Sequence, residues 1–284
     1  MTNEQFIYAT FFTGNGSYLP GLTALKNSLE IVNSKYPLVV FVPQNMEKAQ
    51  KMRISELGVS VIELKPIPIP KEIVDLNNAS NFAHWNDSFL KIMIFSQTAY
   101  KKIILLDCDM LVVKNIDHLF SCPSLSAVVA GQRSNPQYRD LNSGLMVIEP
   151  KPLLSEMIYA SFDYVIRNSG TYSAIGDQDL LHIAFSKWKF RDELHLPETY
   201  NLLSDCIAKY LCKKQDEPPI RKDDIYVIHF ACSPKPWNYN VKSWKNILLR
   251  AIYYKSTSEI AYTLQYLRIA SNDHHKTRSN NKSL

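Results

Sequence analysis

Two aspartates separated by one residue, Asp107 and Asp109, are the strongest chemical signal in this sequence. They directly follow the apolar run at residues 102–106, which predicts a buried strand. Ligands of open α/β sheets bind beyond the carboxyl ends of the strands. Two carboxylates at such a position can converge on one hard divalent ion, Mn²⁺ or Mg²⁺. The spacing therefore predicts a metal site for a phosphate-containing substrate, with a pair of solvated turn acids as the structural alternative.

A histidine and a lysine near the last predicted strand, residues 225–230, extend this prediction. The imidazole of His229 can complete a metal ligand set. The ammonium of Lys235, six residues later, can act as a point charge beside a diphosphate. The structural alternative for His229 is a core histidine whose ring nitrogens bond to the backbone.

Four weaker signals lie elsewhere in the chain. Asn142 and Ser143 precede an apolar strand and offer donors and acceptors to sugar hydroxyls, or they form an ordinary turn. Asp177 opens a predicted helix, where it is either a functional carboxylate or an N-cap. Lys91 reads most simply as a solvated lysine. Tyr18 either stacks on a base or packs.

The predicted order of elements is that of an α/β fold. Strands at residues 6–12, 38–42 and 59–64 alternate with helices at 19–32 and 45–57, which is typical of a doubly wound sheet. Further strands are predicted at residues 102–106, 126–130, 143–148 and 225–230, helices at 85–100, 152–167 and 177–186, a helical region at 244–269, and an extended proline-rich crossing at 65–71.

Composition favours one globular domain over residues 1–270 and a polar, disordered tail at 271–284, since 46% of the 284 residues are hydrophobic. The net charge of +5 is mild and forms no basic stripe, which argues against nucleic-acid binding. No apolar run reaches the length of a membrane span, and no signal peptide is visible. Five cysteines without metal-type spacing favour a reducing compartment, the cytoplasm.

A phosphatase of the haloacid-dehalogenase type also places two spaced aspartates after an apolar strand. That chemistry favours Thr or Val two residues beyond the second aspartate, where this chain has Leu111. It also places the aspartates on the first strand, whereas three predicted strands precede Asp107 here. Both differences disfavour the phosphatase interpretation.

The order of the motifs is more specific than any one of them. In chain order, the motifs begin with Phe6, Thr10, Tyr18 and Lys91. They continue with the segments LLDCDMLVVKNID, NSGLMVIEP, GDQDLL and HFACSPKPWNY. Over residues 5–240 this succession resembles the retaining glycosyltransferases of family 8, in particular those of the glycogenin type. The resemblance implies a GT-A Rossmann-like α/β fold with a central, mostly parallel sheet flanked by helices. It also implies a UDP-sugar donor, Mn²⁺ and, by analogy alone, a homodimer.

The resemblance also implies roles for individual positions, grouped here by what they would contact. The metal would be held by Asp107, Asp109 and His229; the uridine by Phe11, Thr13, Asn15 and Tyr18; the diphosphate or donor sugar by Lys91, Lys235, Asn142, Ser143 and the backbone at Cys108 and Cys232; the reacting centre would be served by Asp177, Gln178 and Lys235.

Three positions depart from the glycogenin type: Phe82 stands in place of an arginine, Ala174 in place of an aspartate and Cys232 in place of a glycine.

We expect a retaining, Mn²⁺-dependent transfer of a hexosyl unit, glucose, from a UDP-sugar to the hydroxyl of an unidentified glycan, protein or small acceptor. Two alternatives stay open. One is a self-glucosylating primer protein with Tyr210 as acceptor, and the other is a non-catalytic nucleotide-sugar binder.

Overall fold

The structure is a computed structural model that describes residues 5–14, 16–129, 131–133, 135–212 and 220–271. The chain divides into two compact units. The first comprises Met1–Gly16, Lys35–Asp107 and Asp117–Glu198, and the second comprises Ser17–Ser34, Cys108–Ile116 and Thr199–Leu284. The predicted tail, apart from its first residue, lies outside the described residues. The prediction of a single domain over residues 1–270 stays a prediction.

The strands and helices are numbered in chain order. The strands are β1 (Phe6–Phe11), β2 (Leu38–Pro43), β3 (Ser60–Leu64), β4 (Lys102–Leu106), β5 (Met110–Val112), β6 (Ala127–Val128), β7 (Asn142–Ile148), β8 (His195–Leu196), β9 (Leu202–Leu203) and β10 (Val227–His229). The α-helices are α1 (Leu19–Ile31), α2 (Lys48–Ser55), α3 (Lys71–Ala79), α4 (Pro152–Arg167), α5 (Asp177–Ala184), α6 (Ile207–Tyr210), α7 (Val241–Tyr254) and α8 (Ser258–Ser271).

A seven-stranded sheet with the order β3-β2-β1-β4-β7-β6-β8 forms the centre of the first unit. Strands β3, β2, β1 and β4 are parallel, β7 is antiparallel to both of its neighbours, and β6 pairs with β8 in parallel. The sheet is therefore mostly parallel, as predicted. Strands β1 and β4 are almost continuously apolar because side chains on both of their faces are buried.

Helices α4 and α5 and a long 3-10 helix, Ala83–Ser96, pack together in the first unit. The rings of Phe89 and Phe162 meet edge to face, with centroids 5.0 Å apart. Both rings belong to a core that includes Ile103 and Leu105 of β4. This packing fixes the backbone on which Lys91, Asp107 and Asp177 lie.

The second unit contains a three-stranded sheet with the order β5-β10-β9. Strand β10 is antiparallel to β5 and parallel to β9. Helix α1 packs against β5 and α8. The core of this unit brings together Leu111, Ile228, Phe230 and Tyr266. Asp109 and His229 lie at the ends of strands that this core holds in place.

The structure departs from the sequence predictions at several elements. The predicted α-helix at residues 85–100 is the 3-10 helix Ala83–Ser96. The predicted helical region at 244–269 is two helices, because Lys255 adopts a left-handed conformation with φ of 52° and ends α7. Helices α3 and α6 and strands β5, β8 and β9 were not predicted. Helix α3 begins directly after Pro70, where the proline run hid its start.

In the part of the chain that the structure describes, every helix is too short or too polar to cross a lipid bilayer.

Gly21, in the first turns of α1, allows a close backbone approach in the second unit. A Cβ atom at this position would lie 2.8 Å from Cη2 of Trp237 and 2.9 Å from the carbonyl oxygen of Cys108. Neither neighbour is the flexible end of a side chain, so the contact cannot be relieved cheaply.

We therefore expect Gly21→Ala to lower the free energy of unfolding by about 1–3 kcal/mol, in spite of the better helix propensity of alanine. Denaturant unfolding measures this change. Gly170→Ala is the matched control, because no atom lies within 4 Å of its added Cβ. Equal stability of the two variants would contradict the assigned close approach.

Candidate active site

In the first unit, the Lys91 ammonium is buried between two carboxylates. Its Nζ lies 3.0 Å from Oδ1 of Asp107 and 2.8 Å from Oδ2 of Asp177. It also donates to Oγ of Ser143 at 3.3 Å and lies 5.0 Å from the ring centroid of Phe11. Lys91 is only 2% exposed, so the interpretation as a solvated lysine is wrong.

The carboxylates on either side of Lys91 are held by regular elements. Asp107 follows the last residue of β4, and its backbone N–H donates to the carbonyl of Gly144 in β7 at 2.9 Å. Asp177 is the first residue of α5, and its N–H donates to Oγ of Ser88 at 3.1 Å. Gly176 is the N-cap residue, so the N-cap interpretation of Asp177 is also wrong.

Burial by itself would lower the pKa of Lys91, because it disfavours the charged form. The charges and hydrogen bonds of Asp107 and Asp177 outweigh that effect and raise the pKa above its ordinary value. Lys91 is therefore a permanent cation at physiological pH, and it balances part of the negative charge of this cluster.

Gln178 and Asn142 brace the same edge of the sheet. The backbone N–H of Ser143 donates to Oε1 of Gln178 at 3.1 Å. The N–H of Gly144 donates to Oδ1 of Asn142 at 2.9 Å. The structure thus brings together five of the predicted positions, Lys91, Asp107, Ser143, Asp177 and Gln178, in the first unit.

In the second unit, Asp109 is buried between a lysine and a histidine. Its Oδ2 lies 2.6 Å from Nζ of Lys235, and its Oδ1 lies 3.2 Å from Nε2 of His229. Asp109 is 6% exposed. The backbone N–H of Phe230 donates to the carbonyl of Asp109 at 3.0 Å, which ties the aspartate to the end of β10.

The two ring nitrogens of His229 have different partners. Its Nδ1 is 2.9 Å from Oδ1 of Asn201, a pairing in which Nδ1–H donates to the amide oxygen. Its Nε2 therefore faces the carboxylate of Asp109. A nitrogen lone pair and a carboxylate oxygen at that distance share either a proton or a metal ion. Histidine ligands commonly have their second nitrogen fixed in this way.

Lys235 is buried, and all three of its ammonium hydrogens have acceptors. Besides Asp109, it donates to the carbonyls of Phe230 at 2.9 Å and Ala231 at 2.8 Å. Burial by itself would raise the pKa of Asp109, but His229 and then Lys235 lower it well below its ordinary range. Asp109 is therefore ionised at physiological pH.

The remaining predicted positions of the second unit lie around this cluster. The Tyr18 ring is 39% exposed, and its centroid lies 5.9 Å from Nζ of Lys235 and 5.5 Å from the centroid of Trp237. Cys108 is buried, whereas Cys232 is exposed and its thiol donates to Oδ2 of Asp205 at 3.6 Å.

A cavity of about 520 Å³ lies beyond the carboxyl ends of β1 and β2 in the first unit. Thr13 and Gly14 line one side, and Asn45, Glu47 and Asp87 are among its polar lining residues. The cavity is the right size for a small ligand. Thr13 thus lies where a bound molecule can reach it, whereas Asn15, also predicted to bind uridine, lies outside the described residues.

Sequence reasoning missed two residues that hold the candidate site together. Asn201 was given no role at the site, and its link to His229 joins residues that are 28 positions apart. Ser88 reads as an ordinary polar residue, although it accepts from Asp177. Lys91 did carry a signal, since it interrupts the apolar run Phe-Leu-Lys-Ile-Met-Ile-Phe at residues 89–95.

Comparison with known proteins identifies the class. Residues 9–241 match the family model described as Glycosyl transferase family 8, and the chain belongs to this family. It is 30% identical to glycogenin-1 of Oryctolagus cuniculus over 252 residues, which cover 84% of this chain and 67% of that protein. It is 27% identical to galactinol synthase 4 of Arabidopsis thaliana, over 82% of this chain and 73% of that protein.

The fold agrees with this assignment. The galactosyltransferase LgtC, solved with donor and acceptor sugar analogues, has a TM-score of 0.59 at 13% identity, covering 96% of this chain and 99% of its own. The glycosyltransferase GlyE of Streptococcus pneumoniae TIGR4 has a TM-score of 0.55 at 20% identity, covering 88% of this chain and 63% of its own. The predicted GT-A fold is confirmed.

Asn201 provides a test of the second cluster that does not depend on turnover. We expect Asn201→Ala to weaken Mn²⁺ binding about 10–100-fold, because His229 would lose the partner that fixes its ring. Calorimetric titration of Mn²⁺ without nucleotide measures the effect. Asn115→Ala serves as control, since the Asn115 side chain bonds to backbone carbonyls of Val32 and Asn33. Unchanged Mn²⁺ affinity in Asn201→Ala would rule out this role.

Proposed function

We propose that the protein is a metal-dependent, retaining glycosyltransferase that moves a hexosyl unit, glucose, from UDP-sugar to an acceptor hydroxyl. The observation that carries this proposal is the Asp107-Cys108-Asp109 triplet. One of its aspartates belongs to the Lys91 cluster, and the other belongs to the cluster of His229 and Lys235.

The proposed metal ligands are Asp107, Asp109 and His229. Only Cys108 separates the two aspartates, so their Cα atoms are at most about 7 Å apart in any conformation. Two carboxylates and an imidazole whose Nδ1 is bonded to Asn201 are suited to Mn²⁺, and also to Mg²⁺. When bound, such an ion would neutralise charge on the diphosphate of the donor.

The uridine would enter at Thr13, which lines the cavity beyond β1. Phe11 and Tyr18 are further proposed uridine contacts. The Phe11 ring centroid lies 5.0 Å from Nζ of Lys91, and the exposed ring of Tyr18 can stack on a planar base. Asn15 completes the proposed uridine contacts. The proposed contacts to the diphosphate and donor sugar are Lys91, Cys108, Asn142, Ser143, Cys232 and Lys235.

Lys91 and Lys235 would contribute most to departure of the nucleotide. Each is a buried ammonium beside a proposed metal ligand, so each supplies positive charge where negative charge develops on the leaving diphosphate. Because the protein holds both charges in place before the donor binds, little reorganisation is needed during the reaction.

Asp177 and Gln178 are the proposed residues beside the anomeric carbon. Retention admits two routes: a covalent glycosyl intermediate on Asp177, or front-face attack assisted by the leaving phosphate. The Asp177 carboxylate is ion-paired with Lys91, which reduces its nucleophilicity and favours a role in positioning the donor. Gln178 would hold Ser143 against the sugar through its bond to the Ser143 N–H.

The acceptor is proposed to be a separate molecule. Tyr210, the proposed acceptor for self-glucosylation, is 1% exposed and belongs to the core of the second unit. Its hydroxyl would have to leave that core before it could attack a donor. The five free cysteines support a reducing compartment, the cytoplasm, as the location of the reaction.

The test is release of UDP with Mn²⁺ from UDP-glucose, UDP-galactose, UDP-GlcNAc and UDP-glucuronate, with Asp109→Asn and Asp177→Asn proteins beside the wild type. We expect release from UDP-glucose that a chelator abolishes and that Asp109→Asn lowers about 100-fold or more, because one metal ligand is lost. Release from none of the donors, with Mn²⁺ and a panel of sugar acceptors present, would favour the non-catalytic binder.

The same samples distinguish the remaining alternatives. Activity retained by Asp177→Asn excludes the covalent route through that residue. Intact-protein mass shows self-glucosylation as additions of hexose, and we expect none. Additions of hexose that disappear in Tyr210→Phe would contradict the proposed separate acceptor.

A further inference from the structure

Helix α7 in the second unit exposes apolar side chains on its outer face. Val241 is 86% exposed, Ile252 66% and Leu248 53%, whereas only Ile247 and Ala251 of this helix are buried. A surface helix of a globular protein ordinarily turns its apolar stripe towards the core. In α7, more apolar side chains face the solvent than face the core. Packing within this unit therefore does not explain the exposed apolar stripe.

The exposed side chains form an ordered surface. Val241, Leu248 and Ile252 are spaced by seven and four residues, so they lie in one row along the helix. Leu249 and Tyr253, which are 53% and 74% exposed, form a second row beside it. At the amino-terminal end, Trp244 lines a shallow hollow of about 580 Å³ together with Tyr239, Asn240, Val241, Lys245 and Leu248.

The same helix is basic. Residues 241–255 contain four Lys and Arg and no Asp or Glu. Arg250 is ion-paired with Glu259 of α8, but the exposed Lys242 and Lys245 lie among the apolar rows. Residues 241–284 have eight Lys and Arg against two Asp and Glu, a net charge of +6, whereas the whole chain has +5. The positive charge of the protein is thus concentrated in this one segment.

Two candidate covers for this surface fit poorly: residues 272–284, and α7 of a second copy packed in parallel. Residues 272–284, which follow α8, have one hydrophobic side chain, Leu284, and cannot supply an apolar partner for two rows. Parallel packing of α7 against α7 of another copy would bring Lys242 and Lys245 against the same lysines. Like charges at short range oppose that contact.

We propose that α7 binds the surface of a membrane that contains anionic lipids. Helices that lie in the membrane interface combine an apolar face with Lys and Arg, and they carry aromatic residues at headgroup level. In α7, the rows of Val241, Leu248, Ile252 and of Leu249 and Tyr253 enter between the headgroups. Lys242 and Lys245 contact lipid phosphates, and Trp244 lies at the boundary. The attachment is peripheral, and it brings the transferase to acceptors at a membrane surface.

Cosedimentation with lipid vesicles tests the proposal on the full chain. We expect wild-type protein to bind vesicles of equal parts phosphatidylglycerol and phosphatidylcholine. Its affinity for vesicles of pure phosphatidylcholine should be lower by about tenfold or more. Leu248→Gln with Ile252→Gln, and separately Lys242→Glu with Lys245→Glu, should each lower binding about tenfold or more. High salt should weaken wild-type binding in the same direction.

Leu153→Gln with Met157→Gln on α4 is the matched control, because these apolar residues are 63% and 40% exposed and lie in the first unit. Circular dichroism and UDP release should be unchanged in all three double variants. A changed spectrum would reveal a variant that fails to fold, and UDP release tests the proposed enzymatic function separately from membrane binding. Equal binding to both kinds of vesicle, or binding unaffected by both α7 variants, would overturn the proposal. Self-association that the α7 variants abolish, without vesicle binding, would instead assign the surface to a contact between copies.

Discussion

Cys108 is the single residue that separates the two carboxylates on which the proposed chemistry depends. The backbone around it is fixed at both ends. The N–H of Asp107 bonds to β7 of the first unit, and the carbonyl of Asp109 accepts from Phe230 in the second. Because the link is covalent, Asp107 and Asp109 stay within reach of one ion. A longer connection between β4 and β5 would lose this property.

The charges near this link explain why so many polar groups are buried together. Asp109 would be costly to bury as an isolated anion, and so would Lys91 as an isolated cation. Each is compensated within its own unit, Asp109 by Lys235 and His229, and Lys91 by Asp107 and Asp177. Replacement of one partner by a neutral residue therefore leaves an uncompensated charge. The same pairs hold fixed charges ready for a diphosphate, which links the stability of the site to its proposed function.

Sequence alone predicted strands such as β1 and β4 because continuous apolar runs are typical of buried parallel strands. It missed the short strands β5, β8 and β9. It also placed the two aspartates at the end of a strand, which requires only local information. It could not separate a 3-10 from an α-helix at Ala83–Ser96, since apolar residues spaced three apart lie on one side of either helix. It could not find the role of Asn201, because that role depends on a contact between distant parts of the chain.

The most direct test of the central claim is the affinity of UDP measured by calorimetry with and without Mn²⁺, for the wild type and for Asp109→Asn. If the two aspartates and His229 hold an ion that contacts the diphosphate, Mn²⁺ should tighten UDP binding by the wild type at least about tenfold. Asp109→Asn should lose that enhancement and keep the metal-free affinity. Equal affinities of the wild type with and without Mn²⁺ would contradict the account.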